Sequence, residues 1–187
     1  ILIDGNRYEA LKRFVYDRQP DGDAGLDTRF DVWFQSSSEY SNYDFTKFLE
    51  PAKRQGLGNA YYPEIPIMRL SEIYYIACEA QIGKDNALAL QYLNDVRDNR
   101  NLSLIQTVPD DATLLEYLVR EMRKDFIGDG RTFLMHKRLF YDIYTVRGET
   151  VPASDNIFVI PIPDDEYEFS GIEKPGNTTD NNQSELL

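Results

Sequence analysis

A mainly α-helical fold with long irregular loops follows from three features of the sequence. Four helix-length segments succeed one another between residues 68 and 140, each with apolar residues at helical spacing. Glycines and aspartates stand at the breaks between them, where helices stop and start. The first 66 residues, in contrast, show little sustained periodicity, and Pro51, Gly56, Gly58, Pro63 and Pro66 exclude a long helix ahead of the four.

The elements can be justified in order. A short helix is expected around Tyr8–Tyr16, where Leu11, Phe14 and Val15 share a side. The stretch "RQPDGDAGLD" is a loop by its proline and glycine content. In "TRFDVWFQ", Phe30, Val32 and Phe34 alternate, which predicts a short strand. "SSSEYSNYD" is polar with interspersed aromatics and predicts a surface loop.

The first long helix is predicted from Met68 to Ile82. Leu70, Ile73, Ala77 and Ala80 form one stripe, while Tyr75, Cys78 and Ile82 lie opposite. Only Glu72 and Glu79 share a narrow polar flank. A helix apolar nearly all round is expected between two packed layers. Gly83 suits the C′ position and Asp85 can cap the next helix, Asn86–Arg100. Its inner face is Ala87, Leu90, Leu93 and Val96. The short connection makes the two helices antiparallel neighbours.

A buried glutamate left alone costs several kcal/mol, so Glu79 is expected to pair with an arginine, Arg97 or Arg123. The third helix, Ala112–Ile127, is capped by Asp110 or Asp111. It buries Leu115, Leu118, Val119, Met122 and Phe126 and turns Glu116, Arg120, Arg123 and Lys124 outward. After "GDG" a fourth helix, Arg131–Phe140, is predicted. "NIFVIPIP" is then extended, because Pro161 and Pro163 exclude a helix or a central strand, and the tail from Lys174 is polar and irregular.

Length and charge bound the function. With 187 residues the chain fits a single domain or a large piece of one, long enough to bury about 70% of its unfolded surface without a disulfide or metal staple. The 13 Tyr and 10 Phe make it unusually aromatic. A net charge of −12 and a pI near 4.5 repel phosphate backbones, which argues against nucleic acid and an anionic membrane face as partners. One cysteine allows neither an intrachain disulfide nor a cysteine zinc cluster. No apolar run reaches the length of a membrane span. "ILIDGNRYEALKRF" has charges throughout and does not suit a signal peptide, so the chain is expected to be a fragment or a processed form.

No sequence pattern for catalysis or cofactor binding stands out. His136, the single histidine, has no nucleophile motif beside it and is expected at a helix surface or half-buried. Cys78, among Ile, Ala and Tyr, suits a buried inert thiol. "DGDAGLDTRFD" resembles a calcium loop, but Leu26 and Val32 occupy the positions where glycine and glutamate are required. Asp164, Asp165 and Glu166 are neighbours in sequence, and successive positions do not face one substrate as a glycosidase pair does.

The aromatic loops are the candidate binding region. Trp33, Tyr40, Tyr43, Tyr61 and Tyr62 offer flat rings for the C–H faces of a sugar, and Asn42, Asp44 and Asn59 lie close in sequence to satisfy hydroxyls. Trp33, with Phe30 and Phe34 nearby, also suits a core position.

Two resemblances add to this. "IYYIACEAQIGKDNALALQYLNDVR" is similar to one tetratricopeptide unit, with small residues in the first helix, Gly83 before the turn and Ala87 early in the second. More specifically, four blocks resemble the C-terminal part of the SusD/RagB family, glycan-capturing outer-membrane lipoproteins of Bacteroidetes. "TKF" stands upstream of "IPIMRLSEIYYIACEAQ". Then come "ALQYLNDVRDNRNL", "EMRKDFIGDGRTFLMHKR" and "IFVIPIPDDEYEF", in the family's order. Met135 and His136 stand where the family usually has Asp-Leu, and "KPGNTTDNNQ" replaces its closing Q-N-P-G-Y.

The resemblance implies a SusD-like single-domain fragment made of a loop-rich segment (1–66), a helical core (67–140) and an irregular C-terminal segment (141–187). The family's blocks are mostly structural, so Glu79, Arg97, Arg123 and Arg138 are expected to form inter-helix ion pairs. The implied function is non-enzymatic glycan capture for an outer-membrane TonB-dependent (SusC-like) transporter in polysaccharide utilisation. The implied location is the cell surface, with an N-terminal lipid anchor beyond this chain. No cofactor is implied. A helical protein-interaction scaffold docking on a transporter, or capture of peptide or glycoprotein, are the alternatives.

Overall fold

The computed structural model describes residues 2–16, 27–36, 42–48 and 67–169. Tyr40, Asn59, Tyr61, Tyr62 and the tail from Lys174 lie outside these residues. Among the described residues the fold is mainly helical, as expected. It divides into two compact units, Ile1–Pro152 and Ala153–Leu187.

The first unit begins with β1 (Leu2–Asp4) and α1 (Gly5–Phe14), which Asp4 caps by accepting from the Arg7 amide. Next come α2 (Thr28–Trp33), β2 (Phe34–Ser36) and β3 (Asn42–Phe45). β3 is the middle strand of an antiparallel sheet in the order β1-β3-β2, so 42–44 is a strand rather than the expected loop. Ladder bonds from both sides outweigh the polar local composition.

The strand expected over "TRFDVWFQ" is also corrected: residues 28–33 are helical. Asp27 explains this, because its carboxylate accepts from the Arg29 amide and starts a helical turn. Phe30 and Phe34, placed one helical turn apart, both enter an aromatic cluster with Val15 and Tyr16.

The helical core comprises α3 (Leu70–Gln81), α4 (Asn86–Asp98), α5 (Asp111–Asp125) and α6 (Thr132–Leu139). Asp85 caps α4 through the Leu88 amide, and Asp110 caps α5 through the Thr113 amide. Gly83 has φ +77°, the left-handed conformation that ends α3. Tyr75, Cys78, Leu90, Leu93, Leu118 and Met122 form the centre of this core. Ala87 is exposed and Ala89 takes its expected place. Leu114 is fully buried where Leu115 is only half-buried.

The prediction that α3 is sandwiched between two layers needs correction. Tyr75 and Cys78 are buried, but Leu70, Ile73 and Ile76 are exposed. Within the described residues, α4 and α5 cover one side of α3 only. A hairpin, β4 (Ile143–Tyr144) with β5 (Thr150–Val151), closes the first unit. The second unit carries α7 (Asp155–Phe158) and α8 (Asp164–Phe169), so part of the segment expected to be extended is a helical turn.

Candidate functional site

The sheet holds three of the sequence-predicted binding residues. Side chains alternate across a strand, so Tyr43 and Phe45 point to one face of β3 and Asn42 and Asp44 to the other. The register agrees. Phe45 lies opposite Phe34, and Tyr43 opposite Ser36 and Ile3, on the face turned to the aromatic cluster. Asp44 lies opposite Gln35, and Asn42 opposite Asp4, on the polar face. The Tyr43 ring stacks on Tyr8 of α1, with centroids 3.5 Å apart and planes 4° from parallel. One face of Tyr43 is therefore occupied within the chain. The structure brings Asn42 and Asp44 together and places Tyr43 behind them.

Trp33 is half-buried at the end of α2, and the Lys47 ammonium lies 4.7 Å from its ring centroid. Lys47, two residues beyond the end of β3, is itself buried. Its Nζ donates to the carbonyls of Asp125 and Ile127 (2.8 Å for the latter) and to Asp129 Oδ1 at 3.0 Å. Burial lowers its pKa to about 8 against the opposing pull of Asp129. Lys47 therefore anchors the end of β3 to the end of α5, and Trp33 covers that anchor. Thr46 adds a bond from Oγ1 to the Val32 carbonyl, 2.7 Å.

A buried charge cluster fixes the other end of this region. The Arg29 guanidinium donates to Asp27 at 2.7 and 2.9 Å, to Glu121 at 2.6 Å and to Asp125 at 3.0 Å. Arg97 and Lys124 reach Glu121 Oε1 at 3.0 and 3.1 Å, and Tyr75 donates to Asp125 Oδ2 at 2.6 Å. Burial alone pushes the Glu121 carboxyl up, but Lys124, Arg29 and Arg97 outweigh it and hold the pKa at about 2. Asp125 is likewise lowered against its burial by Arg29 and Arg100. The cluster joins α2, and with it the sheet, to α4 and α5.

Glu79 does not pair with Arg97 or Arg123. Its partner is Arg138 of α6, which donates two bonds, one of 2.7 Å, and Arg131 likewise binds Glu72. The reason is facing: the acid flank of α3 looks toward α6, whereas Arg97 faces Glu121. Arg123, predicted to point outward, is buried; it donates to the Tyr144 carbonyl at 2.8 Å and lies 5.4 Å from the Tyr144 ring centroid. Lys124 is buried as well.

His136, expected to be at least partly exposed, is fully buried, with Nδ1 3.3 Å from the Tyr141 carbonyl and Nε2 without a hydrogen-bond partner among the described residues. Burial lowers its pKa. Cys78 is buried, which pushes its thiol up to about 12. Asp27, the third aspartate of the calcium-like motif, is bound to Arg29. Among the described residues no group of His, Cys, Asp or Glu is arranged to hold a metal ion.

Sequence reasoning missed Arg29, Glu121 and Asp125 as a unit, because their union spans more than 90 residues of chain. It also missed a groove of about 490 Å³ between α3 and α6, floored by Tyr75, Met122 and Phe126 and bordered by the Glu72–Arg131 and Glu79–Arg138 pairs. Its signal was the apolar second face of α3.

No curated protein and no solved structure matches the chain. The sequence model of the SusD family matches residues 5–183, and the chain belongs to that family.

Proposed function

We propose that this chain is a non-enzymatic glycan-capturing component of an outer-membrane nutrient uptake system, working with a SusC-like, TonB-dependent transporter. The observation that carries this reading is the family match over nearly the whole sequence. SusD-family proteins are associated with the outer membrane, bind nutrients such as glycans and are not catalytic. Among the described residues no helix is long and apolar enough to cross a membrane. We assign surface anchoring to a lipidated N-terminal segment on the family resemblance alone.

The binding surface we assign includes the polar face of the sheet. Asn42 and Asp44 project beside Gln35, giving amide donors and acceptors next to a carboxylate, the groups that satisfy sugar hydroxyls. Trp33 and Tyr43 contribute as the packed support of that face; Tyr40, Asn59, Tyr61 and Tyr62 remain candidates from the sequence alone, outside the described residues. Capture requires no covalent step: rings cover C–H faces, polar groups take the hydroxyls, and the helical core holds both in place.

A glycan array followed by fluorescence titration of Trp33 tests the reading. Saturable binding that is weakened by Asn42→Ala with Asp44→Ala is expected. No binding to any neutral or acidic polysaccharide, with intact folding, overturns it.

A second reading, a helical scaffold docking on the transporter, is favoured by one observation. Ile67, Met68, Leu70, Ile73, Ile76 and Leu134 are exposed on α3, its lead-in and α6. Tight transporter binding without any sugar binding would favour it.

A further inference from the structure

We propose that the cleft between α5 and the β4–β5 hairpin is a separate subsite for one neutral sugar ring. The proposal rests on the glycan-capture reading and deepens it. Neither Asn42 nor Asp44 lines the cleft, which encloses about 250 Å³. That is just below the usual range of about 300–1,000 Å³ for drug-sized ligands, so it suits one ring rather than a chain.

Its walls have the required chemistry. Glu116, Arg120 and Arg123 follow one another along a single face of α5, at spacings of four and three. Tyr144 and Glu149 face them from the hairpin, and Phe14 of α1 closes the end. Tyr144 is exposed, but its backbone is pinned by the 2.8 Å bond from Arg123. The Arg123 guanidinium, which also lines the cleft, lies 5.4 Å from the Tyr144 ring centroid and favours that ring position. Arg120 and Glu116 form a 2.7 Å pair at the surface, which sets a planar donor fork beside a carboxylate acceptor. Neighbouring hydroxyls on a sugar ring need that alternation of donor and acceptor.

The charges decide between ligand classes. Two guanidiniums and two carboxylates line the cleft, so they cancel and favour neither anion nor cation. With the local charges balanced, the net charge of −12 is what weighs against a uronic acid or sulfated sugar. Gly148 allows the hairpin turn to approach Phe14. The glycine φ is +81°, and a Cβ there would come within 2.6 Å of the Phe14 ring.

The test is saturation-transfer NMR with glucose, galactose, mannose, xylose and glucuronate, on wild-type protein and on Tyr144→Ala, Tyr144→Phe, Arg120→Gln and Asn42→Ala. Arg120 is exposed, so an unchanged melting curve is expected for Arg120→Gln, and Tyr144→Phe, which keeps the ring beside Arg123, is the control for any loss of stability in Tyr144→Ala. A saturable signal from at least one neutral sugar should weaken about tenfold in Tyr144→Ala and Arg120→Gln, the loss of roughly one good contact. Tyr144→Phe should retain it. If wild-type binding persists unchanged in Tyr144→Ala and Arg120→Gln but falls in Asn42→Ala, the cleft is not a subsite and the capture reading stands. Preference for glucuronate overturns the assignment to neutral sugars. No saturable signal from any of these single sugars removes the subsite, while the capture reading is decided separately by the glycan array.

Discussion

The Arg29 cluster and the Glu79–Arg138 pair use the same chemical groups in different surroundings. Arg29, Asp27 and Glu121 side chains are each 1% exposed, whereas Arg138 is 56% and Glu79 26% exposed. In the cluster Arg29, Asp27 and Glu121 have lost their water and depend on their partners. In the pair, solvent screens the attraction and would resolvate either partner left alone. Burial, rather than the presence of an arginine and an acid, decides how much of the fold depends on the contact.

Removing the cation at the centre of the cluster should have the largest effect. Arg29→Met leaves Asp27, Glu121 and Asp125 buried with fewer partners, and a loss of about 3–5 kcal/mol in urea denaturation is expected. A loss under about 1 kcal/mol would erase the contrast.

Acid titration separates the two regions next. Glu121 is held at about 2 in the fold, against an ordinary value of 4.5. The unfolded chain therefore takes up the proton first, and this stabilisation is present above 4.5 and lost as pH falls toward 2. His136 acts in a higher window. Its lowered pKa favours the neutral ring in the fold, so its contribution is complete above 6.5 and declines as pH falls toward the lowered value. Melting temperatures across pH should show both declines, and His136→Gln should remove the upper one alone.

Lys47 is the intermediate case. Lys47→Met should cost about 2 kcal/mol, because it leaves carbonyls at the end of α5 without their donor. The lysine pKa falls from 10.5 to about 8 in the fold, so wild-type stability should rise between those pH values. Thermal scans of the methionine variant should lack that rise.

The smallest effect is expected at the exposed pair. Glu79→Ala should change stability by less than about 1 kcal/mol, and high salt should shrink the difference further. A loss as large as that of Arg29→Met would show that α3 and α6 are covered in solution.

The helical core was legible in the sequence because its signals are local. Asp85, Gly83 and Asp110 mark helix ends through bonds within a few residues, and the α5 stripe repeats within its own turns. The sheet was not legible. Asn42–Phe45 is a strand only because β1 and β2, distant in sequence, flank it. Arg29 was hidden for the same reason, and Arg123 and Lys124 were assigned outward because their burial depends on Tyr144 and Asp27. At the binding region, Asn42 and Asp44 emerged as neighbours in sequence, but the turning of Tyr43 to the opposite face required the pleat and register.

The deep placement of Cys78 gives the molecule its own reporter. A thiol with no exposure and a pKa near 12 stays protonated and out of reach of alkylating reagents at neutral pH. Labelling can proceed only when α3 lifts from α4 and α5, so its rate follows the opening of the helical core. Because the sequence has a single cysteine, every label counts one such opening, with no second thiol to confuse the reading.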